Sequence, residues 1–182
     1  MHEDAIVLLA GGQERRFPGK LEHHVDGIPL LARCYERLRA TGLPMYVIAK
    51  GSFSRELDAR LEAPFIVDRH PGSGPLRALL DACAAIPARR MFVVAGDQPE
   101  IDTGVLERLE ASWQSGDEAA VPVHDGQIEP LVAIYDRAAV LREVLRLRGR
   151  AAMRELVARL ATRLVPCDGN SFHNVNHRQD LA

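Results

Sequence analysis

Short apolar runs alternate with longer amphipathic ones along the first hundred residues. Ala5-Ile6-Val7-Leu8-Leu9-Ala10 is continuously apolar, as expected of a parallel strand covered on both faces. Pro29-Leu30-Leu31 then opens a helix running to about residue 40, with the proline at its first turn and Gly42 at its end. Residues 45–49 predict a second strand, 53–61 a short helix capped by Ser52, and 65–67 a third strand. Pro75 starts a helix that reaches about residue 86, before Pro87. Residues 91–95 are a fourth strand, ending at Gly96-Asp97. Beyond it the rhythm continues but loosens. A helix is expected over 103–113, a strand over 119–123, a turn at Asp125-Gly126 and a strand over 131–135. Helices follow over 138–147 and 151–160, on either side of Gly149, and then a short strand at Leu164-Val165. This alternation predicts βαβ units, a mostly parallel sheet and an α/β/α sandwich of three layers. No repeat, low-complexity stretch or linker divides the chain. One domain over residues 1–182 is expected, with a nucleotide-type first half and a second half shaping another ligand site.

Composition narrows the function classes. At 182 residues the chain can bury a core without disulfides or structural metal. Its 23 basic and 25 acidic residues give a net charge of −2, against a general nucleic-acid surface but compatible with a local basic site. The apolar runs fall far short of the roughly 20 residues of a membrane helix. Met1-His2-Glu3-Asp4 lacks a cationic leader region, so no membrane partner and a cytoplasmic location are expected. Cys34, Cys83 and Cys167 form no CxxC pair, which argues against a zinc ribbon or disulfide scaffold. Cys34 and Cys83 fall in apolar helical patterns and are expected in the core. The basic residues are almost all arginine, so the two lysines, Lys20 and Lys50, stand out.

Four segments carry possible chemistry. Leu9-Ala10-Gly11-Gly12-Gln13-Glu14-Arg15-Arg16-Phe17-Pro18-Gly19-Lys20 follows the first strand, where open α/β sheets place their ligands. Gly11 and Gly12 allow close backbone approach, and Arg15, Arg16 and Lys20 add three cations within six residues. A phosphate site competes here with an ordinary charged surface loop; the segment is neither a Walker A loop nor GxGxxG. Asp68-Arg69-His70-Pro71-Gly72-Ser73-Gly74-Pro75 ends at a helix N-terminus, which can face an anion or a polar base edge or can simply be a turn. Asp97, at a strand end, suits Mg²⁺, an ion that takes one or two carboxylates, water and substrate phosphates; a helix cap or turn is the plainer alternative. Asn174 and Asn176 share a face if extended, and both can bond a polar ligand. His173 and His177 lie four apart, but the asparagines argue against the helix that zinc ligation there would need.

Together these motifs resemble the molybdenum cofactor guanylyltransferase family of nucleotidyltransferases. The likeness runs from LAGGxxxRF…K at residues 9–20 through GxPLL at 27–31 and DxxPGxGPL at 68–76. It continues with DxP at 97–99, EPLVAIY at 129–135 and FxNVN…DL at 172–181. The resemblance implies a Rossmann-like sheet and transfer of GMP from GTP to molybdenum-molybdopterin, with pyrophosphate released. It implies that Leu9, Ala10 and Gly11 line the nucleotide, that Gly12, Arg16 and Lys20 meet the phosphates, and that Asp68 lies near the base or ribose. Gly74 and Pro75 would complete the nucleotide site. Asp97 would bind Mg²⁺, Lys20, Arg16 and Asp97 would carry catalysis, and Pro130, Asn174 and Asn176 would face the acceptor. Proteins of molybdoenzyme maturation are the implied partners. Two positions depart from the family pattern. The stretch from Arg16 to Lys20 is shorter than the common RMGxDK and lacks the acid before lysine. Ala49-Lys50-Gly51 lacks the asparagine often found after the second strand. Transfer of CMP or another nucleotide to a related phosphorylated acceptor is the alternative within enzymes. A nucleotide-binding module that delivers cofactor with little catalysis is the alternative outside them; the presence of both Lys20 and Asp97 argues against it.

Overall fold

The structure is a computed structural model that describes residues 3–11, 18–69, 72–147, 152–168 and 172. In chain order, β1 (Asp4–Leu9) leads to a single 3-10 turn at Lys20–Glu22, the short pair β2 (His24–Val25) and β3 (Ile28–Pro29), and α1 (Leu30–Arg39). Then come β4 (Met45–Ala49), α2 (Arg55–Arg60), β5 (Phe65–Val67), α3 (Pro75–Ala85) and β6 (Arg90–Ala95). The remainder is α4 (Thr103–Ser112), β7 (Ala119–His124), β8 (Gln127–Ile128), β9 (Val132–Asp136), α5 (Arg137–Val144), α6 (Met153–Val157) and β10 (Thr162–Pro166).

One sheet organises the molecule, in the order β10-β7-β9-β6-β1-β4-β5, with β8 paired to β7. The β1–β4, β1–β6, β4–β5 and β7–β10 pairs are parallel. β9 runs antiparallel to both β6 and β7. Each strand feeds two cores, because side chains alternate across the pleat. Ile6, Leu8, Phe92 and Val94 pack with α1 and α4, whereas Val7, Met91 and Val93 pack with α3, α5 and α6. That double burial is why β1 and β6 read as unbroken apolar runs. The result is the three-layer α/β/α sandwich with a mostly parallel sheet. Among the described residues no helix is long and apolar enough to cross a membrane.

Several boundaries differ from the sequence expectation, α5 ending at Val144 instead of residue 147 among them, and three have visible causes. The helix expected over 53–61 starts at Arg55, and its cap is Ser54, whose Oγ accepts from Leu57 N–H at 3.4 Å, not Ser52. Phe53 instead meets Phe65, ring centroids 6.0 Å apart, which holds residue 53 outside the helix. The helix expected over 151–160 is only Met153–Val157; Thr162 Oγ1 donates to Val157 O at 2.8 Å, so the chain has already turned towards β10. The strand expected over 131–135 begins at Val132, because Leu131 belongs to a turn.

Candidate active site

The parallel strands end together. Leu9 is in register with Ile48 on one side and Ala95 on the other. The ladder runs one step further: Ala10 N–H donates to Ile48 O at 2.8 Å, Gly96 N–H to Leu9 O at 3.0 Å and Asp68 N–H to Ala49 O at 2.7 Å. Gly11, Asp68 and Asp97 therefore reach one rim from three different strands. They border a cleft of about 330 Å³, within the usual range of small-molecule sites. Leu9, Ala95, Ala78 and Leu131 supply its apolar wall, and Lys20, Asp68 and Asp97 its charges.

Lys20 is placed by its neighbours. Gly19 takes a left-handed φ of 70°, the 3-10 turn follows, and Leu21 is buried beneath it. Lys20 Nζ then forms an ion pair with Asp97 Oδ2 across 77 residues of sequence. The side chains are 14% and 21% exposed, so the pair lies largely out of water, where its attraction is stronger than at the surface. Asp97 also acts on Cys34, whose thiol lies below it, 4.0 Å from Ala95 O. Burial first, and the Asp97 charge second, push the Cys34 ionisation far above the ordinary thiol range. Cys83 is raised to about 12, mainly by burial. Both are core thiols, as expected, and neither is a nucleophile.

Two glycines have reasons visible in the geometry. A Cβ on Gly11 would lie 2.9 Å from Asp68 Oδ2, and Asp68 is only 5% exposed. Gly74 has φ 91° and ψ 169°, a region nearly closed to other residues, and it aims the start of α3 at the cleft with Pro75 at the first helical position. The helix dipole there favours an anion. Gly11→Ala is expected to force the Asp68 carboxylate to move, at roughly 1–3 kcal/mol. Calorimetric titration with nucleotide, beside a thermal melt, should show weakened binding.

The structure thus brings Leu9, Gly11, Lys20, Asp68, Gly74, Pro75 and Asp97 to one cleft. Ala10 packs its methyl into the core on the α1 face instead. Pro130 precedes the cleft residue Leu131 in the turn before β9. Gly12, Arg16, Asn174 and Asn176 lie outside the described residues. The sequence reading missed Leu21, Ala78, Ala95 and Leu131 in the cleft wall, and placed Gly72 in the candidate loop without a role. It also missed a brace behind it. Arg33 bonds Asp26 of the β2–β3 turn at 2.8 Å and Glu100 at 3.2 Å, and Arg37 bonds Glu100 at 3.0 Å, tying the segment after Asp97 to α1. The Arg33 and Arg37 positions on one helical face were the available signal.

Open α/β sheets bind nucleotides in such a strand-end cleft, and the class that this fold and cleft define is the nucleotidyltransferases. The chain belongs to the family of the MobA-like NTP transferase domain, whose model matches residues 6–164. A relative from Opitutus terrae, named probable molybdenum cofactor guanylyltransferase, is 35% identical over 161 residues, covering 86% of this chain and 78% of its own. One of the same name from Bacillus licheniformis is 28% identical and covers 96% of this chain and 93% of its own. The crystal structure of molybdopterin-guanine dinucleotide biosynthesis protein A from Archaeoglobus fulgidus superposes with a TM-score of 0.75 at 26% identity, covering 97% of this chain and 94% of that one.

Proposed function

We propose that this chain, acting as one domain, transfers GMP from GTP to the terminal phosphate of molybdenum-molybdopterin. A phosphate oxygen of the acceptor attacks the α-phosphorus of GTP, the bond from that phosphorus to the bridging oxygen breaks, and pyrophosphate leaves. The acceptor phosphate is already ionised, so no strong general base is needed. The work left to the protein is alignment and charge neutralisation. The observation that carries the reading is the meeting of Lys20, Asp97 and Asp68 with the α3 N-terminus in one cleft. Lys20 is set to exchange Asp97 for a phosphate oxygen as charge builds there. The α3 N-terminus supplies N–H groups and a positive dipole end for a second anionic group. Asp68, held against Gly11, presents acceptors to the base or ribose.

Two hard oxygen donors, Asp97 and Asp68, border the same cleft and fit Mg²⁺, which takes few protein carboxylates and completes its shell with phosphate and water. Asp97 would hold the ion. Bound Mg²⁺ would neutralise phosphate charge and orient the nucleotide. The names of the relatives support the acceptor, and the free core thiols Cys34 and Cys83 support a reducing cytoplasm where molybdoenzyme-maturation proteins would receive the product.

GTP is expected to bind more tightly than ATP, CTP or UTP. A site that hydrogen-bonds the guanine amine leaves its own acceptors unpaired against other bases. Lys50, a donor where asparagine is common in the family, is the position that could redirect this preference. Calorimetric titration of the four nucleotides with Mg²⁺ decides it, and tighter binding of CTP would move the assignment to cytidylyl transfer. Binding without pyrophosphate release in the presence of molybdopterin would instead indicate a delivery module.

A further inference from the structure

The turn that carries Leu131 is fixed from every side. Val132 N–H donates to Glu129 O at 3.1 Å and closes it. Ala95 N–H donates to Leu131 O at 2.8 Å, which ties it to the end of β6, two residues before Asp97. Tyr135 Oη donates to Pro130 O at 2.7 Å, and Glu129 N–H donates to Pro122 O at 3.0 Å. Tyr135 is fully buried, and burial pushes its ionisation far above the ordinary phenol range, so its hydroxyl stays a donor. All three carbonyls of the turn are thus engaged, which fixes the Glu129 backbone two residues before the cleft residue Leu131.

The Glu129 side chain is oriented as firmly. His124 Nε2 lies 2.9 Å from Glu129 Oε1, and facing a carboxylate this nitrogen carries the hydrogen. The His124 ring is stacked on Phe172, centroids 4.7 Å apart and planes 4° from parallel. His124 Nδ1 is buried and makes no hydrogen bond, with the Asp125 carboxylate 3.8 Å away. Leaving a buried ring nitrogen unmatched costs on the order of 1–3 kcal/mol, which offsets what the His124–Glu129 contact, its side chains 18% and 21% exposed, contributes. Stability alone therefore gives little reason for the arrangement. His124 engages only Oε1, and among the described residues Oε2 has no hydrogen bond.

Sheet order says which ligand this carboxylate meets. Glu129 precedes β9, Asp68 follows β5, and β6, β1 and β4 lie between. The two residues therefore follow or precede strands at opposite ends of that row. Asp68 and Gly11 serve the nucleotide half; Glu129 stands at the other end, beyond Asp97.

We propose that Glu129 is a specificity-determining residue for the acceptor. Its carboxylate accepts the paired donors of a flat heterocycle that presents a ring N–H beside an exocyclic amine, the edge a 2-amino-4-oxo pterin carries. Two adjacent donors match the two oxygens of a carboxylate, as in other bidentate pairs. His124 is the positioning residue that holds the carboxylate in plane. This inference rests on the nucleotidyl-transfer reading for the existence of a pterin acceptor.

The test compares binding of 6-hydroxymethylpterin phosphate with that of the matching lumazine phosphate, in which a 2-oxo group replaces the amine. Wild type is expected to prefer the pterin roughly tenfold or more. Glu129→Gln, nearly isosteric, should abolish the preference, and His124→Asn should reduce it. The GTP-over-ITP ratio should stay unchanged in both, which also reports that both fold. No preference in wild type (including no binding of either probe), or a preference that survives in Glu129→Gln, overturns the assignment. A changed GTP-over-ITP ratio would place Glu129 on the nucleotide and overturn it equally. Pyrophosphate release with GTP and molybdopterin, measured separately, tests the underlying reading. Its absence with the pterin preference intact sinks transfer and leaves Glu129 standing.

Discussion

Lys20→Ala is expected to lower turnover by about 10²–10³-fold while moving the melting temperature little. Removing one preorganised positive group from a developing anion costs on the order of 2.7–4 kcal/mol. Lys20 sits in a 3-10 turn whose core anchor is Leu21, so truncation beyond Cβ removes little packing. The ion pair adds a second signature. In wild type the Asp97 carboxylate is engaged by Lys20, and a cation must displace that ammonium to reach it. The alanine variant should therefore bind Mn²⁺ more tightly than wild type in the absence of nucleotide, although it is the poorer catalyst. Pyrophosphate release and paramagnetic titration measure the two effects. Wild-type turnover in the variant would remove Lys20 from the mechanism.

Asp97→Asn should be nearly as damaging, through the opposite charge. An amide keeps the shape of the strand end but loses the anionic donor, and the lost metal contribution to the transition state is several kcal/mol. The Mg²⁺ concentration for half-maximal rate should rise steeply. Stability should fall by about 1–3 kcal/mol, because the largely buried Lys20 ammonium loses the Asp97 charge. Rate against Mg²⁺ at saturating GTP, with a denaturation curve beside it, gives both numbers. An unchanged Mg²⁺ requirement would take Asp97 out of metal binding.

How much of this was legible in the sequence depended on whether a feature was local. β1, β4, β5 and β6 lay close to their expected bounds because buried parallel strands are apolar without interruption. Gly11, Lys20 and Asp97 were each visible beside a strand end. The Lys20–Asp97 pair was not, since nothing local joins residues 77 apart. The antiparallel direction of β9 was equally hidden, because five apolar residues read the same either way. The β2–β3 hairpin was missed although Asp26-Gly27 repeats the Asp-Gly signal read correctly at 125–126. Both turns use left-handed backbone, with φ of 51° and 77° at the first and 49° and 73° at the second. Its two-residue strands are too short to show any period. Glu129 and His124 were overlooked for a related reason, since the β7–β8 turn alone brings them face to face.

The antiparallel insertion of β9 between β6 and β7 also bears on how the chain assembles. β6 is fully sheltered in the finished sheet, yet its outer edge is covered only by residues 132–136, some forty positions later. Until they emerge from the ribosome, the half that carries Lys20, Asp68 and Asp97 has an open edge of unpaired amides and carbonyls beside an apolar face, a template for sticking to other chains. The acceptor-side strand is thus what seals the nucleotide half, and neither half is a natural fragment.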